Sequence, residues 1–264
     1  MTKLDTLFAD TREEARAALV GYLPAGYPTV DDSKAVLAAM IDAGCDLVEI
    51  GIPFSDPVMD GPTIQAAANH ALRGGFRLRH VFEVVEAVTS RGGHAVVMTY
   101  WNPVYRYGVD AFARDLASAG GLGIITPDLI PDEAGEWLEA SAVHGLDRIF
   151  LLAPSSTEER IASTVAASSG FVYAASVMGV TGARDQVSSS AAQLVGRVRA
   201  HTDMPIGVGL GVRSGAQAAE LAAVADAVIV GSAFVSRAAR GVAEVRALAA
   251  ELAEGVRGSV SPVG

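Results

Sequence analysis

The residues best equipped for chemistry in this 264-residue chain lie in one stretch, Leu47 to Gln65, which reads LVEIGIPFSDPVMDGPTIQ. Alternation along Leu47-Val48-Glu49-Ile50 gives Val48 and Ile50 one face of a strand and Leu47 and Glu49 the other. In a closed barrel neither face meets water. The Glu49 carboxylate is therefore expected to be desolvated, with its pKa raised toward the range where it can give and take a proton. A structural glutamate paired with an arginine or a backbone amide is the alternative. The connection beyond it is broken by Pro53, Pro57, Gly61 and Pro62 until Thr63, and it carries Asp56 and Asp60. Alone, each is a turn residue or a cap. Two carboxylates converging over one pocket, one buried and one wetter, would divide into a proton carrier and a standing anion.

A second chemistry is suggested by three late glycine turns: SVMGVTGAR from Ser176 to Arg184, GVGLGVRSG from Gly207 to Gly215, and VGSAF from Val230 to Phe234. Each opens toward a helix. Glycine lets the backbone approach a ligand, and helix N-termini present unpaired N–H groups to it, so the three together suit a phosphate without a lysine. Taken singly, each turn also reads as an ordinary barrel loop. The glycines at 207, 209 and 211 do not match G-x-G-x-x-G, and no G-x-x-x-x-G-K-[ST] occurs, which removes the Rossmann and P-loop readings. Tyr22, Tyr100 and Tyr173 stand at the ends of the first, third and sixth strand candidates, where they can wall an aromatic pocket.

Other chemistries find little support. The histidines at 70, 80, 94, 144 and 201 are scattered, there is no H-E-x-x-H and no cysteine pair, and so no metal site is expected. Cys45, the single cysteine, reads as a small buried hydrophobe, and no G-x-S-x-G elbow is present. A net charge of -10 argues against nucleic acid and anionic membrane as partners. The most apolar run, Leu221–Val230, is short and broken by Asp226, and Met-Thr-Lys-Leu-Asp lacks the apolar core of a signal peptide. A cytoplasmic location is expected.

The elements that must position these residues recur regularly. After an amphipathic helix near Leu4–Ala18, strand candidates fall at Leu19–Leu23, Leu47–Ile50, Ala95–Met98, Leu122–Ile125, Arg148–Leu151, Val172–Ala175, Ile206–Val208 and Ala227–Val230. Helical patterns follow them near Asp32–Ala43, Leu78–Ser90, Asp110–Ala119, Asp132–Val143, Glu158–Ala167, Ser190–Ala200, Gly215–Ala223 and Phe234–Glu254. Eight alternations predict an α/β single-domain (β/α)8 TIM barrel with an extra N-terminal helix, residues 1–257, followed by a tail at 258–264. An open doubly wound sheet is the competitor, but its usual glycine-rich first turn is here only Leu23-Pro24-Ala25-Gly26.

Across nearly the whole chain the sequence resembles the tryptophan synthase α-subunit family. The resemblance is carried by IPFSDP-x-x-DGPTIQ, by GYLPAGYPT before it, by MTYWNPVYRYG after it and by SVMGVTGAR. It implies a barrel that cleaves 1-(indol-3-yl)glycerol 3-phosphate to indole and D-glyceraldehyde 3-phosphate in L-tryptophan biosynthesis. It also implies Glu49 as acid/base and Asp60 as second carboxylate, with Gly182, Gly211, Gly231 and Ser232 at the phosphate. Tyr100 and Tyr173 would flank the indole, joined by Tyr22 and Leu210, and Thr181 would couple lid closure to the catalytic loop. The implied partner is a β subunit in an α2β2 assembly; it holds pyridoxal phosphate and receives indole through a tunnel, so this chain has no cofactor of its own.

Two positions depart from the pattern: Val177 stands where arginine usually follows the lid serine, and Leu210 where phenylalanine usually lies between the glycines. Closure of the loops at Pro53–Gly61 and Gly179–Val187 is expected, to shield the reaction from water. A phosphosugar isomerase or epimerase on the same barrel, and a phosphate-binding subunit that only activates a partner, remain open as alternatives.

Overall fold

The computed structural model describes residues 2–175, 184–209 and 211–258, and the side chains of these except at 184–189. Eight parallel strands close into a barrel in sequence order, with β8 pairing back onto β1. They are β1 (Ala18–Pro24), β2 (Leu47–Gly51), β3 (Ala95–Met98), β4 (Gly123–Thr126), β5 (Asp147–Leu152), β6 (Val172–Ala175), β7 (Ile206–Gly209) and β8 (Ala227–Val230). Around them run α1 (Lys3–Glu13), α2 (Val30–Asp42), α3 (Pro62–Arg73), α4 (Arg79–Thr89), α5 (Trp101–Tyr107) and α6 (Val109–Ser118). The second half carries α7 (Gly135–His144), α8 (Glu158–Ala167), α9 (Arg184–Arg199), α10 (Gly215–Ala222), α11 (Ser232–Ala238) and α12 (Val242–Gly258). Every expected strand is present.

Closure splits the apolar residues into two cores. Leu19, Val48, Ile50, Val97 and Val208 pack outward against the helices, whereas Val20, Leu47, Val96, Ile149, Phe171 and Ile229 fill the barrel interior. Both faces of each strand are buried, which is why the strands read as short β-branched runs. The interior cluster also contains Leu4, Leu7 and Phe8 of α1, and the Phe8 ring lies 5.6 Å from that of Phe171. Helix α1 is started by a capping box in which the Asp5 N–H donates to Thr2 and the Thr2 N–H to Asp5. It plugs the N-terminal end, so the interior opens only where the strands end. Phe8→Ala is expected to cost about 3–5 kcal/mol in urea unfolding; a loss below about 1 kcal/mol would show that α1 is an ornament rather than a plug.

Several boundaries differ from the sequence pattern. Helix α1 stops at Glu13 instead of continuing to Ala18, and Ala15 takes φ 53°. Arg16 then grips both carboxylate oxygens of Asp46 at 2.9 Å, and the Ala18 N–H donates to the Asp226 carbonyl at 2.8 Å. Pairing Ala18 into the sheet outweighs the helical spacing. The last pattern divides into α11 and α12, parted by Gly241 at φ 115°. A 3-10 turn at Pro131–Glu133 precedes α7, and α9 begins earlier than its apolar spacing indicated, at Arg184. Helices α3 and α5 were not anticipated; α3 starts on Pro62, whose missing N–H is no loss in a first turn. Helix α12 runs through Gly258, and residues 259–264 lie outside the described residues.

Candidate active site

Glu49 is the middle residue of β2, whose five residues are all buried. Leu47 belongs to the interior cluster while Val48 and Ile50 face the helices, so alternation aims Glu49 into the barrel, above Leu47. It is 1% exposed, and its Oε2 has no hydrogen-bond partner. A buried carboxylate oxygen left without a donor cannot hold charge cheaply. Burial, helped by the negative charge of Asp60, pushes its pKa up to about 8. Among the described residues no arginine pairs with Glu49, and burial with the charge of Asp60 favours its protonated form.

Asp60 closes the loop after β2, immediately before Gly61, the residue that opens α3. It is half-buried, and burial raises its pKa while a hydrogen bond from the Tyr100 hydroxyl opposes the rise. The same hydroxyl accepts the Met59 N–H at 3.0 Å, and the Tyr100 ring lies 5.2 Å from Phe54. Tyr100 itself is held at the start of α5, where the Trp101 N–H donates to the Asp128 carboxylate at 2.9 and 3.1 Å. One tyrosine thus ties the β2 loop to the β3 loop and fixes Asp60. Asp56, by contrast, is exposed and, among the described residues, accepts the Ser55 hydroxyl alone, at 2.5 Å. The pair that converges is Glu49 with Asp60.

The other two tyrosines belong to the same group. Tyr22 pairs in register with Glu49 across β1 and β2, and Glu49 with Val96 across β2 and β3. Burial first, then the charges of Asp60 and Glu49, raise the Tyr22 pKa; burial and Glu49 do the same for Tyr173. Tyr22 and Tyr173 lie within their strands rather than at the ends, and only Tyr100 stands beyond one. Sequence reasoning missed a dependence of this pocket on Gly209: a Cβ there would come within 2.5 Å of the Tyr173 hydroxyl oxygen. Gly209→Ala should push Tyr173 into the pocket and cost activity, at about 1–3 kcal/mol of overpacking strain. Tyr173→Phe in the same chain should restore part of it. Steady-state turnover of the single and double variants decides, and additive losses would overturn the steric account.

Of the residues expected at the phosphate, Gly211 adopts φ 68° after β7, and Gly231 and Ser232 open α11 after β8. Gly231 lies beside Tyr22, whose Cδ1 would be 3.5 Å from a Cβ added there, so the β8 turn borders the tyrosine pocket. Thr181, Gly182 and Leu210, together with Val177, lie outside the described residues. Among the described residues no group of three His, Cys, Asp or Glu side chains could hold a metal ion. No described helix is long and apolar enough to cross a membrane. Cys45 is buried, and burial pushes its thiol pKa up.

A buried carboxyl, a wetter carboxylate and three tyrosines at the open end of a barrel have the chemistry to pass a proton to and from an aromatic molecule held among them. The family model for the tryptophan synthase alpha chain matches residues 8–260. The tryptophan synthase alpha chain of Nocardia farcinica is 68% identical over 256 residues, covering 97% of this chain and 96% of that protein. A crystal structure of Mycobacterium tuberculosis tryptophan synthase superposes with a TM-score of 0.93 at 63% identity, over 97% of this chain and 98% of the other. That of the tryptophan synthase complex from Pyrococcus furiosus gives 0.80 at 32% identity, over 90% and 98%. With the sequence and the barrel in agreement over almost the entire length, the chain belongs to the tryptophan synthase alpha chain family.

Proposed function

We propose that the chain cleaves 1-(indol-3-yl)glycerol 3-phosphate to indole and D-glyceraldehyde 3-phosphate, using Glu49 as the proton carrier and Asp60 as the charge-stabilising carboxylate. The observation that carries the proposal is the Glu49 carboxyl, buried inside the barrel without a hydrogen-bond partner at Oε2 among the described residues, its pKa raised by burial and by the charge of Asp60. Breaking the bond between indole C3 and the side chain requires protonation of C3, which turns the ring into an indoleninium able to accept the bonding electrons. Glu49 delivers that proton. The resulting carboxylate takes the proton of the glycerol hydroxyl as the carbonyl forms, which returns Glu49 to its starting state. Positioned acid/base catalysis of this kind contributes about 10²–10⁴-fold.

Asp60 accepts the indole N–H and stabilises the positive charge that develops there. Tyr22, Tyr100 and Tyr173 wall the ring, with Leu210 the fourth member of that wall. Gly182, Gly211, Gly231 and Ser232 take the phosphate, so binding energy from the far end of the substrate orients the reacting bond. Thr181 couples closure of its loop to the loop carrying Asp60. The cleavage itself draws on no cofactor. Indole passes to a β subunit in an α2β2 assembly, where pyridoxal phosphate supplies the following chemistry, and the reading places the enzyme in the cytoplasm.

Indole release from the phosphorylated substrate, measured with and without the β subunit, tests the function. Slow release alone and fast release in the complex is the expected result. No indole in either case would leave the chain a phosphate-binding regulator of its partner.

A further inference from the structure

The turn after β7 carries Arg213, two residues beyond Gly211 and one before Ser214, whose hydroxyl caps α10. The Arg213 N–H is fixed by the Gln217 side-chain oxygen at 2.8 Å, and its exposed guanidinium has no ion-pair partner among the described residues. Arg213 helps line a cavity of about 280 Å³ together with Thr63, Ser232, Ser236 and Arg237. Every polar side chain in that lining is a hydroxyl or a guanidinium, and no carboxylate faces it. Arg237 is already paired with Glu244 at 2.6 Å, which leaves Arg213 as the lining cation without an ion pair among the described residues.

This patch is unusual for its setting. The chain carries a net charge of -10, and Asp56, Asp60 and Asp128 all stand after strands on the open side of the barrel, with Glu49 inside it on β2. A dianionic substrate approaching such a surface is repelled, and backbone N–H groups act only over the last few ångströms. An exposed guanidinium in this turn reverses the local sign, and its planar fork can hold two phosphate oxygens at once. We propose that Arg213 is a positioning residue for the substrate phosphate: it draws the dianion toward Gly211 and Ser232 and holds its outer oxygens. The proposal rests on the lyase reading above, and it replaces a phosphate site made of backbone alone with one that has a cationic gate.

The test compares wild type, Arg213→Ala, Arg213→Lys and Arg240→Ala, the last an exposed arginine outside the cavity. Each is assayed in complex with the β subunit at several ionic strengths, and each is titrated calorimetrically with glycerol 3-phosphate. Arg213→Ala should raise KM about tenfold with kcat within about twofold, and weaken glycerol 3-phosphate by a similar factor. It should also flatten the decline of kcat/KM with salt, because steering is an ionic-strength effect. Arg213→Lys should recover part of the affinity, and Arg240→Ala should match wild type. Wild-type KM and salt dependence in Arg213→Ala would overturn the proposal, as would a fall in kcat at unchanged KM. If wild type releases no indole, the lyase reading fails instead, and the glycerol 3-phosphate titration still decides on Arg213: equal affinity, or none in wild type, overturns it.

Discussion

Glu49→Gln is expected to reduce indole release by about 10²–10⁴-fold while leaving substrate affinity nearly unchanged. Glutamine keeps the shape of the side chain but has no proton to give at C3 and cannot take one from the glycerol hydroxyl. In the wild-type enzyme kcat/KM should fall as pH rises through about 8, because the protonated form is the one that starts the reaction. The same substitution should stabilise the fold at neutral pH. Between 4.5 and about 8 the unfolded chain ionises Glu49 while the folded chain keeps it protonated, so wild-type stability is lost progressively across that window as pH rises. At about 1.4 kcal/mol per unit, up to about 3 kcal/mol is at stake at pH 7. Thermal unfolding of the two proteins should coincide near pH 4 and diverge above it. Equal melting curves at pH 8, or an activity limb near pH 5, would show that Glu49 ionises like a solvated carboxyl.

Asp60→Asn should cost about 10²–10³-fold in turnover, comparable to removing one preorganised group from a site of developing charge. Asparagine retains the bond from Tyr100 but loses the negative charge that faces the indole nitrogen. A second effect separates this account from simple disturbance of the loop. The charge of Asp60 is the second cause, after burial, of the raised Glu49 pKa. In Asp60→Asn the remaining activity should therefore decline at lower pH than in wild type. An unshifted pH limb would mean that the two carboxylates do not sense one another, and full turnover would remove Asp60 from the chemistry. Tyr100→Phe should act in the same direction but more weakly, since it frees the loop at Met59 and leaves Asp60 without its hydroxyl donor.

Much of the site was legible before the fold because its signals are local. Residue type and strand parity marked Glu49, and the proline and glycine breaks marked a loop carrying two aspartates. Residue type and spacing did not choose between Asp56 and Asp60; only the family resemblance named Asp60. The physical difference between the two comes from Tyr100, which arrives from the loop after the next strand, accepts the Met59 N–H and reaches Asp60, while Asp56 is exposed. The closeness of Gly209 to Tyr173 was equally invisible, since it depends on the pairing of β6 with β7. Arg213 carried no signal of its own in the sequence, and only the fold brings it to line one cavity with Ser232.

The amino-acid sequence on its own determined the eightfold alternation of strand and helix, and with it the barrel, because burial on both faces leaves a short, nearly continuous apolar run at every strand. It also determined which strand residues share a face. The tertiary structure alone decided which face is the interior, where α1 must end, and which loop side chains meet above Glu49. Parity is a property of the backbone repeat. Inside and outside exist only once β8 pairs with β1 and the helices cover the other surface.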